Sequence, residues 1–222
     1  MVLLVTTLWL SWAAPASLPK VHLLYPAPDG SVFDRNCSEV LKDAPVIDRK
    51  WVDEAVRRVP EFQRRWDTDG PAYMTTTFDA IGLSFPYAEM QAALTVCPVA
   101  SMSLPLIINV RGFLGGAANP LPEWFLPFLV FHELMHTYTR PVNTTSAIVK
   151  RHSSEPALTL NHLHVLALEK FVLTKMGKVD ELKWVDHRYR TASPPAYKRA
   201  WEIVNDVEGV DALLNELKAA AR

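Results

Sequence analysis

The pentapeptide His132-Glu133-Leu134-Met135-His136 constrains this chain more than any other stretch. On an α-helix its two histidines stand at i and i+4, one turn apart on one face. Two imidazole nitrogens can then reach a single metal ion, with Glu133 beside them as a candidate general base. The surroundings permit such a helix over residues 126–139. Residues 128–131 are apolar, Leu134 and Met135 are uncharged, and Pro127 falls in the first turn, where its missing N–H costs little. Arg140-Pro141 is expected to end the helix, because the residue before a proline is pushed out of the α region. The competing reading is a pair of core histidines bonded to backbone. Against it stands Glu133, a carboxylate on an apolar helix that a nearby cation would relieve.

Uncharged residues flank the motif on both sides: Phe131, Leu134, Met135, Thr137 and Tyr138. In this the chain resembles the zincin metallopeptidases, over about ten residues around the HExxH signature. The resemblance implies Zn²⁺ and a catalytic water. Glu133 would take a proton from that water and pass it to the leaving amine, while a nearby donor stabilises the oxyanion. Tyr189, His187, Arg190 and Tyr197 are candidates for that donor, and Tyr138 is expected to pack instead. The metzincin branch requires glycine at position 139 and histidine at 142; the chain has Thr139 and Val142, so that branch is excluded.

Catalytic zinc normally takes three protein ligands and a water, so a third must come from outside the pentapeptide. In the gluzincin branch it is a Glu on a later helix. Residues 160–176 read as such a helix, with Thr159 or Asn161 as cap and Gly177 closing it. At 100° per residue Glu169 sits mid-arc among Val165, Val172, Leu173 and Met176, where a free carboxylate needs a partner. His132, His136 and Glu169 are therefore the expected ligand set, with His164 as runner-up and His162 and Glu155 as further candidates. His162 shares the Glu169 face, whereas His164 points toward Leu168 and Phe171. Gluzincins often place Asp four residues after the Glu. Leu173 occupies that position here, so support for His132 or His136 must come from elsewhere.

At 222 residues with 49% hydrophobic content, residues 17–222 are expected to form one domain around one core. A net charge of −1 gives no electrostatic footprint for nucleic acid. Residues 1–16 read as a secretory signal: an uncharged apolar run, then Ala14-Pro15-Ala16 as a cleavage site, though no basic residue precedes Lys20. The run is short for a membrane span, which needs about 20 apolar residues. A secreted or periplasmic location follows. The segment between the signal and Asp48 is too short to serve as a prodomain. In an oxidising compartment Cys37 and Cys97 would form a disulfide; two separate buried thiols are the alternative.

Asp48 can cap a helix over 49–66 with Trp51, Ala55, Val56, Val59 and Phe62 as its apolar stripe, kinked at Pro60 and closed by Asp69-Gly70-Pro71. Asp29-Gly30 reads as a turn, residues 74–78 as β-prone, and residues 89–96 as ambiguous between strand and helix. Residues 104–110 read as a strand, and the zincin resemblance makes them the cleft-lining edge strand that pairs with an extended peptide. Residues 141–158 read as polar and irregular and 180–194 as charged and aromatic, with short helices near 196–206 and 210–221. The expected fold is α-rich α+β, a minimal zincin-like domain with a few N-terminal-side strands and C-terminal helices. The expected function is that of a secreted zinc-dependent metallopeptidase acting on a peptide or protein substrate. The alternative is a non-catalytic metal-binding or interaction protein on a degenerate zincin scaffold.

Overall fold

The computed structural model of the chain describes residues 18–26, 37, 47–191 and 193–221. The signal-peptide expectation for residues 1–16 and the Asp29-Gly30 turn lie outside the described residues. In chain order the elements are β1 (Lys20–Leu24), α1 (Arg49–Ile81), β2 (Glu89–Thr95), β3 (Met102–Ser103), β4 (Leu106–Asn109), a 3-10 turn (Arg111–Phe113), α2 (Phe125–Asn143), α3 (Ala147–Arg151), α4 (Ala157–Lys175), α5 (Val179–Thr191), α6 (Pro195–Glu202), a π-helical stretch (Ile203–Val207) and α7 (Val210–Ala220). The architecture is α+β and dominated by helix, as expected.

α1 is longer than its sequence suggests. Asp48 caps it by accepting the Lys50 N–H at 2.9 Å, and Gly82, at φ 84°, ends it. Between them the helix runs unbroken through Pro60 and Pro71, at about 1.5 Å per residue. The expected break at Asp69-Gly70-Pro71 and the β reading of residues 74–78 are both corrected. The reason is packing: Phe62, Trp66, Gly70, Tyr73, Met74, Thr77, Phe78 and Ile81 form one buried stripe at helical spacing. Gly70 is required because a Cβ there would stand 2.5 Å from the Trp66 ring. Val56, assigned to the stripe from sequence, is exposed, and Val52 is buried in its place.

The sheet has the order β1-β2-β4-β3, with β1, β2 and β4 parallel and β3 antiparallel to β4. α1 makes the crossover from β1 to β2. The chain then runs outward to β3 and turns back at Leu104-Pro105, a cis peptide bond, to place β4 between β2 and β3. The edge beside the motif helix is therefore Met102–Ser103, and Leu106–Asn109 is paired on both sides. The expectation of 104–110 as an edge strand is corrected accordingly.

α2 is apolar nearly all round, so it is buried on most of its surface rather than along one stripe. Tyr73 of α1 packs against Phe128 and Phe131, at ring separations of 5.8 and 5.6 Å, and Phe78 stacks on Tyr138. The helix continues past Pro141 to Asn143, four residues beyond its expected end. α4 is the second helix buried on nearly all sides. It starts at Pro156 without a side-chain cap, so neither Thr159 nor Asn161 plays that part. Its far end follows the sequence: Gly177 takes φ 68°, Lys178 N–H returns to Leu173 O, and Gly177 N–H returns to Thr174 O. Residues 147–151, inside the stretch expected to be irregular, are helical, and residues 179–191 form a further helix.

Cys37 and Cys97 are joined in a disulfide, 60 positions apart. Among the described residues no helix is long and apolar enough to cross a membrane. The disulfide fits an extracellular protein.

Candidate metal centre

α2 and α4 lie against each other in the core, and the histidines of both meet at their contact. On α2 the i, i+4 spacing brings the His132 and His136 Nε2 atoms to 3.2 Å. On α4 the facing histidine is His162, whose ring centroid lies 4.5 Å from that of His136 and 5.3 Å from that of His132. One ligand atom from each of the three falls within 4.8 Å of the others. Two buried helices thus converge on one point with three imidazoles, a group that can hold a metal ion.

Hydrogen bonds fix which ring nitrogens face inward. His132 Nδ1–H donates to Glu169 Oε1 at 2.8 Å, and Tyr189 O–H donates to Glu169 Oε2 at 2.9 Å. Glu169 is 1% exposed, and both its oxygens are used. His162 Nδ1–H donates one turn back to Leu158 O at 2.6 Å. Its Nε2 is buried and has no hydrogen-bond partner among the described residues. An orphaned buried acceptor normally costs free energy, and a metal ion would satisfy it. Glu169 and His162 are seven positions apart, two turns of one helix, so they share a face but act at different depths. Glu169 stands behind His132; His162 faces the two Nε2 atoms.

The electrostatics suit neutral imidazoles. Burial, with His132 and His162 adding to it, pushes the His136 pKa down to about 2, and burial plus His132 pushes His162 down to about 3. Burial opposes a charge on His132 too, but the charge and hydrogen bond of Glu169, with the charge of Glu133, raise it. A carboxylate behind a histidine in this way increases the basicity of the inward nitrogen. Burial lifts Glu133 to about 6, with Glu169 adding to the effect and His132 opposing it. Tyr197 is pushed up to about 12 by burial and then by Glu133 and Glu169, so it carries its proton at neutral pH.

Two cavities meet at this point. The larger, about 700 Å³, is lined by His132, Glu133, Tyr189 and Tyr197 and by a wall from Pro98 to Ser101. The smaller, about 390 Å³, is lined by Glu133, His136, His162, Tyr197 and residues of β3. Glu133 and Tyr197 line both. Asn109 ties the wall: its Nδ2 donates to Cys97 O at 3.0 Å and Val99 O at 2.6 Å, and its own N–H reaches Ser101 Oγ at 3.0 Å. Its Oδ1 accepts the Arg111 N–H at 2.9 Å.

The remaining sequence candidates fall elsewhere. His164 is buried with both ring nitrogens occupied, Nδ1 by Asn143 and Nε2 by Glu216. Glu155 pairs with Arg199 at 2.8 Å. Arg190 pairs with Asp186 and Asp206, and His187 is exposed on α5. Tyr138 packs in the core and donates to Leu83 O at 3.0 Å. Tyr197 stands with its ring 4.1 Å from that of His162 because α6 opens on Pro194-Pro195 and Thr159 O–H of α4 donates to Ala196 O. The Tyr189 hydroxyl is committed to Glu169, so it supports His132 through that carboxylate, a part no sequence motif announces. Comparison with protein-family models, curated proteins and solved structures finds no match for the chain.

Proposed function

We propose that the chain is a zinc-dependent hydrolase of peptides, with His132, His136 and His162 holding the metal and Glu133 as general base. The observation that carries this reading is the orphaned, buried Nε2 of His162 facing two further Nε2 atoms beside a carboxylate that opens on two cavities. Three neutral histidine nitrogens are the donor set zinc favours, and tetrahedral Zn–N bonds of about 2.0–2.1 Å need nitrogens about 3.4 Å apart, close to the His132–His136 separation. Glu169 is read as the carboxylate that orients His132, a part Leu173 cannot play, rather than as a ligand. When bound, zinc would supply Lewis acidity and acidify a water toward neutral pH.

The rest belongs to the chain. Burial makes Glu133 more basic than a free carboxylate, with a pKa of about 6 in the metal-free protein, which suits it to take a proton from the attacking water. It then delivers that proton to the leaving amine as the C–N bond breaks. Tyr197 is a protonated hydroxyl positioned to donate to the developing oxyanion. Tyr189 and Glu169 keep His132 in one tautomer. The two cavities receive the two sides of the scissile bond. The disulfide supports a secreted or periplasmic location.

The test is Glu133→Gln in the zinc-loaded protein, with metal content and hydrolysis of a broad peptide library measured together. Retained zinc with hydrolysis lost is the expected result. A native, zinc-loaded wild type that cleaves no member of the library would favour a non-catalytic metal protein instead.

A further inference from the structure

The larger cavity has a charge feature that the proposed chemistry does not use. Arg111 and Arg188 both line it, along with His132 and Glu133. Each guanidinium lies over aromatic faces: Arg111 is 4.0 Å from the Trp51 ring centroid, and Arg188 is 5.4 Å from Phe125 and 5.3 Å from Trp184. Cation–π contact of this kind holds a guanidinium against the aromatic surface without using its N–H donors. Neither side chain has an ion-pair partner among the described residues. Arg58, Arg65, Arg190 and Arg199 are all matched to carboxylates. The acidic residues lining the cavity are Glu133, at the metal centre, and Glu169, whose oxygens are taken by His132 and Tyr189.

We propose that Arg111 and Arg188 form a carboxylate-recognition site, so that the ligand of the larger cavity is a peptide bearing an acidic side chain or a free C-terminus on that side. Calling this ligand a substrate rests on the hydrolase reading above; recognition of its charge does not. Two guanidiniums in a cavity with apolar walls from Phe125, Leu129 and Trp51 focus positive charge on whatever enters it. There a planar carboxylate can take paired N–H donors, and a neutral isostere leaves them unmatched.

The test is calorimetric titration with fully blocked tripeptides in matched pairs, Glu against Gln, and with free-acid against amide C-termini. It is run on zinc-loaded Glu133→Gln protein and on zinc-free wild type. The charged member of at least one pair should bind about tenfold tighter, ~1.4 kcal/mol, in both forms, and which pair responds identifies the source of the carboxylate. Arg111→Gln and Arg188→Gln should each weaken the charged ligand about tenfold and the neutral one less than about twofold. Arg188→Lys, which keeps the charge without the paired donors, should fall between wild type and Arg188→Gln, and it stands in if loss of stacking unfolds the glutamine variant. Equal binding within both pairs overturns the proposal. So does a preference that survives both arginine substitutions, since the metal would then be its source. Charge discrimination in both forms, with zinc-loaded wild type hydrolysing no peptide, would sink the hydrolase reading alone; hydrolysis by zinc-loaded wild type without charge discrimination in either form would sink this proposal alone.

Discussion

His162→Asn separates the metal from the fold. In the structure His162 does two things: Nδ1–H donates to Leu158 O at 2.6 Å, and Nε2 faces His132 and His136 unpartnered. The amide N–H of asparagine can take over the first bond. It cannot supply the second atom. Binding of zinc to a complete four-coordinate site is worth about 10–16 kcal/mol, or about 3–4 kcal/mol per ligand when shared equally, which is a loss of about 10²–10³ in affinity. The zinc-free fold should change little, since an unsatisfied buried nitrogen is removed with the ring. Glu169→Ala should behave in the opposite way. It leaves His132 Nδ1–H and Tyr189 O–H buried without acceptors, at about 1–3 kcal/mol each, so the zinc-free protein melts several degrees lower. Its zinc affinity should fall by about 10–100-fold, the usual effect of losing a carboxylate behind a metal-binding histidine. The assay is chelator-competed zinc titration paired with calorimetric melting in chelator. If Glu169→Ala loses more zinc than His162→Asn, the carboxylate is the ligand and the assignment is refuted.

Other consequences are open to direct measurement. Holding Glu133 at about 6 rather than near 4.5 disfavours its charged form by about 2 kcal/mol. A folded-state pKa raised in this way removes stability as pH rises from about 4.5 through about 6. Zinc-free Glu133→Gln should therefore be about 2 kcal/mol more stable than wild type at pH 7 and indistinguishable below pH ~4, by denaturant titration. The reverse sign applies to Glu61, which its hydrogen bonds to Arg58 and Arg65 hold at about 2. Its contribution is present above about 4.5 and lost as pH falls through about 2. Because the carboxylate is partly exposed, Glu61→Gln should cost only about 1 kcal/mol at pH 7 and nothing at pH ~2. Gly70→Ala should destabilise despite about 1 kcal/mol of better helix propensity. Its Cβ meets the buried Trp66 ring, and such overpacking costs about 1–3 kcal/mol. A rise in melting temperature for this variant would contradict the packing account.

The parts legible in the sequence were those set by short-range periodicity. The HExxH helix and the Gly177 terminus follow from i, i+4 spacing and from the left-handed cap glycine, and the structure has both. α1 runs through Gly70-Pro71, a pair that looks like a terminator until Trp66 is seen lying on the bare glycine. The stripe at 66, 70, 73, 74, 77, 78 and 81 was nonetheless there to be counted. The third histidine was harder. His162 and Glu169 differ by seven positions and so share one helical face, and periodicity fixes a face but not a height. Which of them meets α2 depends on how far one helix slides along the other, which no local pattern records. Tyr197 falls in the helix expected near 196–206, which the structure has at Pro195–Glu202 with proline at its first position, but its approach to His162 depends on how α6 packs on α4, which local sequence does not record.

Asn109 brings a thermodynamic consequence for whatever enters the larger cavity. Its side chain and backbone tie the wall from Cys97 to Ser101 and the start of the Arg111 turn into one bonded unit. A ligand docking on that wall has no loop to order, so little of its binding free energy is lost to conformational entropy. Backbone amides of residues 99–111 should then show nearly the same hydrogen-exchange protection in free and bound protein, and association should follow the kinetics of rigid docking rather than of closure.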